Sequence, residues 1–269
     1  MKTIFISFAD SRMLPSLKRI KQQAHEMEIF DEIIIFTEKQ LDNDFVEKHK
    51  ERLKLGSRGY GYWIWKPYII KKILETMDEG DRLLYIDAGC HLNPKGINRL
   101  REYFQTVSDS QLKIGGFQIG NSNNDRTWTK MDLLSYFDVR NNHTILNSGQ
   151  ICATHVILTK SNESVDFINT WLSISENLHL IDDSPSILPN FPEFREHRHD
   201  QSIFSLLSKT RGAVIFSGAE CWVASDKDWN TLIDYPIWDK RDKQFSLKTR
   251  IKATIKSYLR KAKKILKKG

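Results

Sequence analysis

The chain has 269 residues, 40% hydrophobic and 28% charged, enough for a sizeable core in one large domain or two small ones, which excludes a disordered or fibrous chain. Three cysteines, Cys90, Cys152 and Cys221, are odd in number and widely spaced, so they write neither a disulfide framework nor a paired-ligand zinc site and read as buried thiols in a reducing compartment. The net charge of +7 belongs to one segment: ten Lys or Arg and no acid lie between Leu247 and Gly269, leaving 31 basic against 34 acidic groups, a net of −3, in the first 246 residues.

In chain order, Thr3–Phe8 reads as a strand, Ser16–Met27 as a helix with Leu17, Ile20 and Ala24 on one face, and Glu32–Phe36 as a second strand. A strand, helix and strand with a continuous apolar second strand fit a parallel sheet covered on both faces. The apolar run before Asp10 is too brief for a secretion signal, and no run approaches the ~18 residues of a membrane span. A charged helical stretch is expected over Lys39–Arg52.

Gly56–Ile70 is the most unusual segment. Its glycines at 56, 59 and 61 are in the wrong order, and lack the preceding strand, for a dinucleotide fingerprint. The aromatic cluster leads into a helix predicted to start between Trp63 and Trp65 and to run through Leu74 toward Met77, with Pro67 tolerated in the first turn. Trp63 and Trp65 either pack in the core or border a loop that admits a flat ligand. Asp81–Asp87 then reads as a central strand ending in a carboxylate, where α/β sheets bind ligands. Such a carboxylate must find a cation, a donor or water.

Ile114–Ile119 is a further strand, Asn121–Arg126 a polar loop, and Asn147–Ala153 leads into a strand over Val156–Leu158 and a helix over Ser161–Leu178. Pro185, Pro189 and Pro192 mark a loop, after which Glu196–Asp200 opens an amphipathic helix, Gln201–Ser208, with Asp200 a helix cap or a chemical group. Ala213–Phe216 is a late strand, and Trp222, Trp229 and Trp238 serve the core or an acceptor groove. Beyond the body, 1–245, the segment 246–269 carries apolar residues every three or four positions between lysines, an amphipathic helix suited to an anionic membrane surface. No self-contained zinc motif, nucleophile elbow or P-loop is present.

Taken together, Tyr60–Ile70 with Lys66, the strand ending at Asp87, Asn147-Ser148-Gly149-Gln150 and Asp200-Gln201 resemble bacterial nucleotide-sugar glycosyltransferases of the GT-A fold, of the kind that builds lipopolysaccharide or capsule chains. The likeness spans most of residues 1–240. It implies an α/β, GT-A-like (Rossmann-like), mostly parallel sheet flanked by helices, a nucleotide-diphosphate sugar donor, and a glycan or glycolipid acceptor. It departs where the family has Asp-x-Asp: Asp87-Ala88-Gly89 offers one carboxylate, and no histidine follows His199. A Mn²⁺ or Mg²⁺ cofactor is therefore implied only through Asp87, and metal-independent chemistry with Lys66 as the cation is the alternative.

By the same resemblance, Asp200 stands near the reacting carbon, as base if configuration inverts or as stabiliser or nucleophile if it is retained, with retention favoured. Asp87 holds a metal or a donor hydroxyl. Lys66, Asn147, Gly149, Gln150, His199 and Gln201 contact the donor, and the nucleotide lies at Phe8, Asp10 and Ser11 on the end of the first strand. The expected enzyme works in the cytoplasm on the inner membrane face, with no nucleic-acid partner. Two rivals are a sugar nucleotidyltransferase, whose Gly-rich loop is missing from Asp10–Pro15, and a non-catalytic adaptor that binds membrane or nucleic acid through its basic tail.

Overall fold

A computed structural model describes residues 1–247 and residue 249; the expected membrane helix over 246–269 lies almost wholly outside the described residues. The first half runs β1 (Thr3–Phe8), α1 (Leu14–Glu26), β2 (Glu32–Phe36), α2 (Asn43–Lys48), a single turn α3 (Gly59–Tyr62), α4 (Trp65–Leu74), β3 (Arg82–Ile86), β4 (His91–Leu92), α5 (Ile97–Asp109) and β5 (Ile114–Gln118). The second half runs α6 (Asp125–Trp128), α7 (Met131–Tyr136), α8 (His143–Asn147), β6 (Ile151–Thr159), α9 (Asn162–Glu176), α10 (Leu178–Ile181), α11 (His199–Arg211), β7 (Val214–Ser217) and β8 (Ile237–Trp238).

Six strands form one sheet in the order β2-β1-β3-β6-β5-β7, and β4 pairs with β8 in a small second sheet. Three of the five neighbouring pairs in the large sheet are parallel, and β6 runs antiparallel to both β3 and β5. The expected α/β architecture, a mostly parallel sheet between helices, is the one observed. Alternation along each strand divides the core between two faces. Ile4, Ile6, Leu83, Tyr85, Val156 and Leu158 meet α4, α9 and α11. Phe5, Leu84, Ile86, Phe117 and Ile157 meet α1 and α5. Full burial of each such side chain is worth roughly 1.5–3 kcal/mol, and the helices on both faces are what keep β3, four of whose five residues are buried, away from water.

Several boundaries differ from expectation for physical reasons. The helix predicted over Lys39–Arg52 shrinks to α2: a separate short turn at Glu38–Gln40 leaves Leu41 extended before it, and the helix ends at His49. The strand expected over Val156–Leu158 extends back to Ile151 as the nine-residue β6, because β5 pairs both of its ends across a bulge and β3 pairs its second half. The helix α5 went unpredicted, although Leu100, Tyr103, Phe104 and Val107 recur at helical spacing and are buried. Among the described residues no helix is long and apolar enough to cross a membrane.

Candidate active site

Parallel pairing of β1 with β3 brings their C-terminal ends to one edge of the sheet, so Phe8, Asp10 and Asp87 share that edge. Strand β6 enters from the same edge, with His155 opposite Ile86. Alternation puts Asp87 on the side of Leu83 and Tyr85, toward α4 and α11.

The local sequence before α4 makes an uncommon turn. Gly59, Tyr60, Gly61, Tyr62 and Trp63 all have positive φ, between 50° and 87°, which is one turn of left-handed helix closed by Tyr62 N donating to Arg58 O (2.8 Å) and Trp63 N to Gly59 O (3.1 Å). Each non-glycine residue in that conformation costs about 1–2 kcal/mol. Packing offsets the cost: the Trp65 indole donates to Gly59 O at 2.9 Å and stacks on Phe8 with ring centroids 3.8 Å apart. The result is that α4 starts at Trp65 and its second residue, Lys66, points beneath the strand ends.

Lys66 is 2% exposed and lies between two carboxylates, 2.7 Å from Asp200 Oδ2 and 3.3 Å from Asp87 Oδ1. Its third contact is a hydrogen bond to Ala153 O at 2.9 Å. Of the three ammonium protons, two are met by hydrogen bonds to Asp200 Oδ2 and Ala153 O, while Asp87 is held as an ion pair at 3.3 Å. The Tyr85 hydroxyl donates to Asp87 Oδ1. Asp200 is almost enclosed, whereas Asp87 keeps 32% of its side chain open to solvent, so Asp87 is the carboxylate a ligand meets first.

Burial pushes the Asp200 carboxyl up to about 6, from an ordinary 3.8, even with Lys66 beside it; the Asp87 charge pushes the same way. Burial works against the Lys66 ammonium, but the two carboxylates outweigh it and hold Lys66 above its ordinary value. The cluster therefore sets the Lys66 cation against an Asp200 that is ionised above about pH 6, in a largely dry setting where charges act strongly.

The other expected site residues fall into separate groups. Gln150 is fully buried; the two protons of its amide nitrogen are shared among Asp125 Oδ1 (3.1 Å), Thr129 Oγ1 (3.0 Å) and Ser202 Oγ (3.2 Å). Its carbonyl accepts from Gln201 Nε2 at 2.8 Å, which ties it to the helix carrying Asp200. Gly149 has no room for a side chain, since a Cβ would lie 1.8 Å from Ile119 O, and its N–H donates to Asn121 Oδ1; the close approach there is to the protein's own backbone. Asn147 ends α8 in an exposed position. His199 sits in the first turn of α11 with φ of 53°, its Nδ1–H donating to Ile181 O at 2.7 Å and its ring against Tyr62 and Trp63. Asp200 follows it inside the helix, with Arg198 at the cap position. On the first strand's end, Phe8 is buried under Trp65, Asp10 is held by Arg12 at 2.7 Å, and Ser11 N donates to Glu38.

Sequence reasoning passed over two contributors. Tyr85 orients Asp87, and the alternation that puts residues 85 and 87 on one face was the available signal. Asp125, fully buried, takes Lys209 Nζ at 2.6 Å and Ser205 Oγ at 3.0 Å and so fixes Gln150 to α11; nothing local in the sequence marks it.

A hard divalent cation needs several oxygen donors. Here one oxygen of Asp87 is already engaged by Lys66 and Tyr85, Gly89 has no side chain, and among the described residues no group of three ligating side chains includes Asp87. The residues present at Asp87 do not fit Mn²⁺ or Mg²⁺.

No protein-family model matches the chain, and no curated protein matches it. Solved structures similar to it include a glycosyltransferase involved in glycosylation of the major capsid of PBCV-1, at 11% identity over 88% of this chain and 92% of that one, TM-score 0.49. Mouse xyloside xylosyltransferase 1 is similar at 12% identity over 88% of this chain and 96% of that one, TM-score 0.42. The galactosyltransferase LgtC, solved with donor and acceptor sugar analogues, is similar at 12% identity over 86% and 83% of the two chains, TM-score 0.44. Likenesses this distant carry no weight on activity.

Proposed function

We propose that the chain is a glycosyltransferase that moves a sugar from a nucleotide-diphosphate donor to a hydroxyl of a growing surface glycan, of lipopolysaccharide or capsule type, at the inner face of the cytoplasmic membrane. The observation that carries this reading is Lys66 clamped between Asp87 and Asp200 at the ligand-binding edge of the sheet. In the transfer, the bond from C1 to the diphosphate oxygen breaks with its electron pair leaving on the phosphate. A bond from C1 to the acceptor oxygen forms, and the hydroxyl proton is lost to the carboxylate or to the departing diphosphate. Positive charge grows around C1 and negative charge on the phosphate.

Asp200, ionised above about pH 6, is the group that stabilises C1, with configuration retained. Asp87, half-open, accepts a hydrogen bond from a donor hydroxyl. Lys66 is buried, with two of its three protons committed to protein oxygens, so it positions the two carboxylates. The leaving charge falls to an exposed cation instead: position 89, where a second carboxylate would stand, lies against the Lys243 side chain and the backbone of Arg241. Residues 246–269 would hold the enzyme on anionic lipid, where lipid-linked acceptors collect.

The test is a thermal-shift screen of UDP-, GDP-, CMP- and dTDP-sugars, with Mn²⁺ and with EDTA, followed by nucleotide release from the stabilising donor. One donor is expected to raise the melting temperature by mass action in EDTA as well as in Mn²⁺. Lys66→Met should cut nucleotide release at least 100-fold, because two like charges are left facing each other. A folded sample that no donor stabilises overturns the reading.

A further inference from the structure

No paired metal motif stands in the sequence, yet the fold sets two of the three cysteines against one carboxylate. Asp239, just after β8, has an 11% exposed side chain. Its Oδ1 lies 2.7 Å from His155 Nε2 and 3.2 Å from Cys90 Sγ, and its Oδ2 lies 3.8 Å from Cys221 Sγ. His155 is fully buried on β6, edge-on to Phe117; its Nδ1 has no hydrogen-bond partner, so Nε2 alone anchors the ring. Cys90 is buried in the turn after Asp87, its N–H donating to Asp87 O at 3.0 Å. The three residues come from three different parts of the chain and meet only in the fold.

We propose that Cys90, His155 and Asp239 bind a thiophilic divalent cation, Zn²⁺ first among them, in a structural site separate from any donor-bound metal. Their ligand atoms all lie within 4.8 Å of one another. Zinc takes sulfur at ~2.3 Å and nitrogen or oxygen at ~2.0–2.1 Å in a tetrahedron, which corresponds to ligand–ligand edges of about 3.3–3.5 Å. The observed 2.7 Å and 3.2 Å edges would open by only about 0.3–0.6 Å to admit it. One thiolate, one carboxylate and one neutral imidazole balance the two charges of the ion, so the enclosed site is neutral. A thiol and an imidazole favour zinc over magnesium or manganese. Cys221 Sγ, 3.8 Å from the other carboxylate oxygen, lies beside this group of three and outside it.

On binding, the Cys90 thiol loses its proton to solvent and the ring proton of His155 rests on Nδ1. The ion would pin the segment after β8 to β6 and to the turn that follows Asp87. This site does not depend on the glycosyl-transfer reading, and its test needs no sugar.

The full chain is dialysed against metal-free buffer and its metals are measured by plasma mass spectrometry. The expected result is about one zinc per chain, replaceable by Co²⁺ with a thiolate-to-cobalt charge-transfer band in the near ultraviolet. Cys90→Ser should lose at least nine-tenths of the metal and the band, while Cys152→Ser keeps both. Three results overturn the proposal: folded protein that holds no zinc and takes up neither Zn²⁺ nor Co²⁺, a cobalt spectrum without a thiolate band, or full zinc content in Cys90→Ser. If Cys90→Ser does not fold, the wild-type cobalt spectrum decides.

Discussion

Asp200 shows what a buried neighbourhood does to one residue. Its carboxyl is raised from 3.8 to about 6 by burial first, with the Asp87 charge adding. Between about pH 4 and 6 the unfolded chain has released this proton while the folded chain still holds it. The stability Asp200 contributes is therefore full below about pH 4 and is lost as pH rises through about 6. Lys66 is raised as well, so its contribution is present below the ordinary 10.5 and lost only in strong alkali. Melting temperature followed from pH 4 to 8 should show wild type losing stability relative to Asp200→Asn through that window. Nucleotide release should rise with an acid limb near pH 6 in wild type, and a flat profile there would remove Asp200 from the chemistry. Asp87 and Asp200 were legible in the sequence as carboxylates at a strand end and a helix start, and Lys66 through the resemblance. That they form one cluster was legible only through the resemblance, because 112 residues lie between Asp87 and Asp200.

At the scale of an element, the left-handed turn α3 governs where α4 begins, and hence where Lys66 points. A Cβ on Gly59 would lie 2.3 Å from the Trp63 ring, at a φ of +57°. Gly59→Ala therefore combines backbone strain with a steric clash and should destabilise the fold by about 2 kcal/mol or more. Gly80, with a φ of +86° but nothing within 4 Å of a Cβ, is the comparison: Gly80→Ala carries the strain alone and should cost distinctly less. Denaturant melts of both variants check this, and equal losses would mean that packing of Trp63 contributes nothing. The glycines at 59 and 61 were visible in the sequence as breakers, but the hand of the turn was not. Spacing reports periodicity and is silent on the sign of φ, which here is settled by Trp65 reaching Gly59 O and stacking on Phe8.

For the whole molecule, charge is divided between a slightly acidic body and a basic end, so attachment and chemistry are expected to separate. Removing residues 247–269 should abolish sedimentation with vesicles containing anionic lipid, while nucleotide release with a soluble acceptor stays within twofold. Co-sedimentation of the truncated and full chains to the same extent would place the membrane contact elsewhere or nowhere. Added salt should weaken binding of the full chain, since the attraction of lysines to an anionic surface is screened.

Local pattern was enough for the α/β class, for the strands of the large sheet, for the helices α1, α4, α9 and α11, and for the segregation of charge, because alternation, helical spacing and composition are properties of neighbours along the chain. It was enough for the strand-end carboxylate too. The clamp on Lys66, the commitment of Gln150 to Asp125 and Gln201, and the meeting of Cys90, His155 and Asp239 came from the sheet order β2-β1-β3-β6-β5-β7. Inserting β6 antiparallel beside β3 carries Ala153 and His155 to the edge where Asp87 ends. Contacts of that kind are set by which strands pair and which faces the helices cover, a global balance of burial that no short stretch of sequence encodes.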